Sequence, residues 1–206
     1  MKNLIFFLGF FISFSPAMIF AQKEYLDFNF EKADQKGKSI VKWENAGDEA
    51  ILSIDTTNSS LAKNCLFVRV NHSIDGATYY MILPKVYYQG LRTIEISVNV
   101  KMPYEKPNAG IWCSLHNNKE YLGGGSTYKG YMKFPVLSDV RSAARYIPIM
   151  PFSWTPYRFD IKTDKDPTEV MIGIYVSKDR AWFDDIRIII NGKPINDLAF
   201  PIFQNK

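Results

Sequence analysis

The chain has 206 residues, of which 47% are hydrophobic, 15% aromatic and 22% charged. That composition excludes a disordered or fibrous chain and fits one globular domain. The net charge of +4 is small, and no run of Lys or Arg forms a phosphate-tracking stripe, so nucleic acid is not the expected partner.

The chain carries Lys2 near its start and an apolar run LIFFLGFFISF at 4–14, then Pro16 and Ala17 lead into IFAQ at 19–22. Residues 1–21 therefore read as an export signal, with cleavage expected after Ala21. Ile19 is an unusual residue three positions before the cut, and an uncleaved anchor is the alternative. The run is short for a stable membrane span, and no Cys follows it to carry a lipid. The protein is thus expected to be periplasmic, at the cell surface or extracellular. The folded domain is expected over 22–196, followed by a tail at 197–206.

Short alternating segments follow. LDFNFE (26–31), EAILSID (49–55), CLFVRV (65–70), ATYYMIL (77–83), TIEISVNVKM (93–102), AGIWCSLHN (109–117), YRFDIKT (157–163), EVMIGIYVS (169–177) and AWFDDIRIII (181–190) each alternate apolar and polar residues. A period of two predicts half-buried antiparallel strands. Turn signals such as DTTNSS, DGA, SKDR and NGKP separate them. No long segment has a helical period. The predicted fold class is all-β: a two-sheet antiparallel β-sandwich of jelly-roll type. Residues 119–151 break the rhythm. LGGGS (122–126) reads as a flexible loop and DVRSAARY (139–146) as one helical turn capped by Asp139. A long insertion in a regular sandwich is where specific function tends to sit.

The doublet Asp184–Asp185 interrupts the last strand. Counting back by two from Ile190, Ile188 and Ile186 places Asp184 on the core row and Asp185 on the opposite face. A carboxylate there is costly unless it is hydrogen-bonded, paired or on a metal. Oxygen ligands suit Ca²⁺, and Glu31 is the expected partner if the first and last strands are neighbours.

FNFE near the start and AWFDDIRI near the end resemble the ends of galactose-binding-like jelly-roll domains, a group that includes many carbohydrate-binding modules. SIDTTNSSLAKNCLFVRV (53–70) and SWTPYRFDIK (153–162) resemble segments of the same family. The resemblance implies a structural Ca²⁺ held by Glu31 and Asp184, with Asp185 a weaker candidate. In closer detail the chain resembles the N-terminal sandwich before the catalytic domain of some bacterial tail-specific proteases. INGKPINDLA (190–199) is similar to the exit from that sandwich, and no protease domain is expected after it.

Catalytic signals are weak. His72 and His116 sit at strand ends, no Gly-x-Ser-x-Gly elbow occurs, and nothing places any two of Glu95, Asp160 and Glu169 across a cleft. Binding has better support, because flat aromatic rings stack on the apolar faces of sugars. Trp112, Tyr80, Tyr121, Tyr128 and Tyr131 are the candidate ligand-binding residues. Trp112 and Cys113 must split between two faces, as must Tyr79 and Tyr80. Trp43, Trp154 and Trp182 read as packing residues. Cys65 and Cys113 are either a disulfide or two small apolar residues. The expected function is an exported, non-catalytic module that binds carbohydrate or a cell-surface glycan. The alternative is a protein-interaction module that docks on an envelope protein.

Overall fold

The computed structural model describes residues 26, 28–31, 43–45, 50–60, 63–71, 76–103, 108–118, 120–127, 140–144, 152–177 and 179–198. Residues 1–21, expected as an export signal, and His72, Tyr128 and Tyr131 lie outside them.

The described strands are β1 (Glu44–Asn45), β2 (Ala50–Asp55), β3 (Cys65–Val70), β4 (Ala77–Ile82), β5 (Thr93–Lys101), β6 (Asn108–Asn117), β7 (Glu120–Ser126), β8 (Val140–Ala144), β9 (Thr155–Thr163), β10 (Glu169–Ser177), β11 (Arg180–Ile190) and β12 (Lys193–Pro194). Single 3₁₀ turns occupy Lys85–Tyr87 and Ile195–Asp197. Two antiparallel sheets result. One runs β1-β4-β10-β6-β7, the other β2-β3-β11-β5-β9-β8, with β12 also pairing β11.

Alternation explains the layering. In β5, Ile94, Ile96, Val98 and Val100 point inward, while Glu95, Ser97, Asn99 and Lys101 point out. In β10, Val170, Ile172, Ile174 and Val176 do the same from the facing sheet. Apolar residues of both sheets form one buried cluster, so the hydrophobic effect holds the sheets face to face. Tyr79 reaches across it and donates its hydroxyl to the Ala50 carbonyl at 2.8 Å.

Four expectations are corrected. Residues 26–31 are not a described strand. Phe28 N–H donates to the Leu26 carbonyl, a tight turn, and Phe30 has φ +63°, so no ladder can run through them. Leu26, Phe28 and Phe30 are nonetheless buried, which is the origin of their alternation. The segment lies beside the turn at Ile195–Asp197, where Leu26 N–H donates to Asn196 Oδ1 and Asn196 Nδ2 donates to the Leu26 carbonyl.

LGGGS is strand rather than loop, within β7. A Cβ on Gly124 would stand 2.3 Å from the Cys113 carbonyl oxygen, so the approach of β7 to β6 requires glycine. Residues 140–144 form β8 against β9 rather than a helical turn. Finally, Asp184 does not share the face of Ile186. Asp184 pairs with Asn99 and Arg187 with Ser97, so β11 carries one extra residue, and Asp185 has φ +49°. This bulge turns Phe183 and Ile186 inward together and leaves Asp184 on the outer side with Trp182.

Cys65 and Cys113 are both free and buried, on strands of different sheets. Burial, then the negative charges of Asp55 and Asp184, pushes the Cys65 thiol up to about 12; burial alone pushes Cys113 up. Both are packing residues with unreactive thiols.

Candidate functional site

Register assembles the site. Across the five-stranded sheet, Glu44 pairs with Tyr80, Tyr80 with Gly173, Gly173 with Trp112, and Trp112 with Ser126. All five positions lie on the outer face, because their neighbours Tyr79, Ile174 and Cys113 point into the core. The split expected at the 79/80 and 112/113 pairs thus falls with Tyr80 and Trp112 outside. Their ring centroids are 6.5 Å apart at 36°. The Tyr80 hydroxyl hydrogen-bonds the Glu44 carboxylate, the main cause of its raised pKa. Trp112 is only 7% exposed and forms the floor; Tyr80 beside it is half-buried.

The next rows carry polar groups. Met171 pairs with Ser114, and Glu169 with His116, which pairs with Tyr121. Ser114 Oγ and His116 Nε2 are 3.0 Å apart. The His116 and Tyr121 rings meet edge-on at 5.6 Å, and burial raises the Tyr121 phenol above its ordinary value. Three of the five expected ligand-binding residues, Trp112, Tyr80 and Tyr121, therefore share one face. Sequence reasoning missed Glu44, Ser114, His116 and Glu169 as their company. Period-two spacing links Ser114 to Trp112 and His116, but Glu44 and Glu169 come from other strands. The other expected carboxylates do not join them: Glu95 and Asp160 face each other across β5 and β9 in the opposite sheet, with Glu95 ion-paired to Arg158. Tyr87 and Tyr88 are core residues.

The acidic residues sit elsewhere: Asp184 lies against the 55–60 loop on the seven-stranded sheet, Glu31 by Lys63 and Asn64. Asp184, 1% exposed, accepts Ser60 N–H at 2.7 Å and Ser60 O–H at 2.8 Å on Oδ2, and Asp185 N–H at 2.7 Å on Oδ1. Glu31 Oε1 accepts Lys63 N–H and Asn64 N–H at 3.0 and 3.1 Å. Asp185 accepts Arg187 Nε–H at 2.9 Å. Hydrogen donors meet each of these carboxylates. Among the described residues no group of three or more His, Cys, Asp or Glu is placed to hold a metal. The bonds described fit acids that fasten loops.

Asp55 anchors the same loop. Its carboxylate accepts Thr57 N–H and O–H at 2.7 Å, Asn58 Nδ2 at 2.9 Å and Trp182 Nε1 at 2.8 Å. Trp182 in turn packs on Phe67 at 5.3 Å and under Lys101 at 5.6 Å. Burial raises the Asp55 pKa, but the bonds from Thr57, Asn58 and Trp182 outweigh it and bring it from 3.8 down to about 2. A lowered folded pKa means stability fully present above the unfolded value and lost as pH falls through about 2. Asp55→Asn is therefore expected to melt below the parent at neutral pH, with the gap closing between about pH 4 and pH 2. Thermal melts across that range check it, and a pH-independent gap would contradict it.

No family model matches the sequence, and no curated protein does. Solved structures match by shape. One is a carbohydrate-binding module of the β-sandwich superfamily described for promiscuous specificity, at TM-score 0.52 and 17% identity, covering 82% of this chain and 63% of that one. The CBM22-1 xylan-binding domain of Paenibacillus barcinonensis Xyn10C matches at TM-score 0.53 and 13% identity, covering 79% and 91%. The C-terminal family 22 carbohydrate-binding module of Clostridium thermocellum Xyn10B matches at 0.51 and 12%, covering 79% and 98%. The likeness is one of fold: this chain is a β-sandwich whose structural neighbours include carbohydrate-binding modules.

Proposed function

We propose that this is an exported, non-catalytic glycan-binding module, with the outer face of the five-stranded sheet as its binding surface. The observation that carries the reading is the convergence of Tyr80, Trp112 and Tyr121 on that face, beside Glu44, Ser114, His116 and Glu169. A sugar ring presents C–H groups on one side and hydroxyls around its rim. Aromatic faces take the first, and carboxylates, hydroxyls and imidazole take the second. Tyr80 is the stacking ring, its hydroxyl fixed by Glu44 and its ring tilted beside Trp112. Fixing the ring before binding lowers the entropy lost on association. The xylan bound by one structural neighbour makes xylo-oligosaccharides the first ligands to try.

A polysaccharide and oligosaccharide panel tests this by affinity electrophoresis and calorimetry. Binding to at least one neutral glycan, lost on Tyr80→Ala, is the expected result. A clean negative across the panel, with an envelope protein recovered by pull-down, would replace it with the docking reading that the tail-specific protease resemblance favours.

A further inference from the structure

We propose that Gly173 is a positioning residue of the binding face: its missing side chain is what lets Trp112 lie down across β10 and support Tyr80. This rests on the glycan reading above and goes beyond it to a residue that touches no sugar. Gly173 stands between the two rings in register, with Tyr80 as its partner on β4 and Trp112 on β6. A Cβ built there would fall 2.3 Å from both Cε2 and Cζ2 of Trp112 and 2.6 Å from its Nε1. Real Cβ atoms do not approach so closely, so any other residue must expel the indole. The obstacle is a side chain that can swing, not backbone, so the strand itself survives the change.

Stability alone does not account for the arrangement. Glycine within a strand interior weakens it, through backbone entropy and the absence of a side chain to pack. Among the described residues the buried Trp112 Nε1–H also has no hydrogen-bond partner, where a satisfied donor would be the rule. Two unfavourable features at one point place a flat ring on the outer face of the sheet. Exchange of stability for a shaped surface is expected where the surface has work to do.

The test is a double-mutant cycle on the best glycan from the panel, using Gly173→Ala, Trp112→Phe and the pair. Gly173→Ala is expected to weaken binding about tenfold, equivalent to about 1.4 kcal/mol, while the chain still melts cooperatively. Because the glycine acts through the indole, adding it to Trp112→Phe should have a clearly smaller effect than it has alone. In ¹⁵N spectra the Trp112 indole signal, identified by its loss in Trp112→Phe, should move in Gly173→Ala as the ring leaves the sheet. If the parent binds and Gly173→Ala binds equally well, or the two effects simply add, the positioning role is wrong and the glycan reading stands. If the parent binds no glycan, both fall.

Discussion

Tyr80→Ala is expected to weaken glycan binding by about ten- to a hundredfold while moving the melting temperature by only a few degrees. The asymmetry follows from where the ring is. Tyr80 projects from the outer face, half-exposed, with its hydroxyl on Glu44 and its ring tilted beside Trp112. Folding gains from it only one cross-strand contact. Binding would use most of the ring face, and a central aromatic of that kind commonly carries about 2 kcal/mol or more of affinity. Trp112 is a poorer first choice, because truncating so buried a residue to alanine costs about 3–5 kcal/mol of stability. Calorimetry and a thermal melt on the same sample check both halves. Equal affinity for Tyr80→Ala and the parent would remove stacking at this position.

Asp184→Ala should be the most damaging substitution of a charged residue. The carboxylate is buried and holds Ser60 N–H, Ser60 O–H and Asp185 N–H, while Ser60 Oγ also accepts Asn99 Nδ2 at 3.3 Å. Removing the acceptor strands several donors under the loop, at about 1–3 kcal/mol for each that water cannot reach. A loss of roughly 3 kcal/mol lowers the melting temperature of a domain this size by about 6–12 °C. Because hydrogen donors already meet both oxygens of the acid, chelator should leave the parent's melting temperature unchanged, and added Ca²⁺ should not raise it. A fall on chelation that Ca²⁺ restores would reinstate a metal at Glu31 and Asp184.

Much of the fold was legible because burial on one face leaves a period of two in the sequence. β3, β5, β10 and β11 carry apolar rows clear enough that their bounds fall within a residue of expectation. What was lost had physical reasons. β7 carries glycines where β6 comes close, so it has little apolar alternation to read. β1 is two residues long. Leu26, Phe28 and Phe30 alternate because they are buried, not because they pair. Asp184 changed face because one bulged residue shifts every position behind it.

The site was half legible for the same reason. Alternation says that Tyr80 and Tyr79 part company; it does not say that Gly173 will stand beside Tyr80, ninety-three positions away in the chain. Cross-strand register is non-local, and so are the Glu44–Tyr80 and Asp55–Trp182 bonds. Single-strand patterning supplied the rings, and topology supplied their neighbours.

The most direct measurement is a titration of ¹⁵N-labelled protein with the glycan that binds best, followed residue by residue. The largest shifts should fall on Tyr80, Trp112, Gly173 and His116, with the Trp112 indole among them and β2, β3 and β9 unmoved. Shifts confined to the seven-stranded sheet, or saturation without any change at those four residues, would contradict a binding face on the five-stranded sheet.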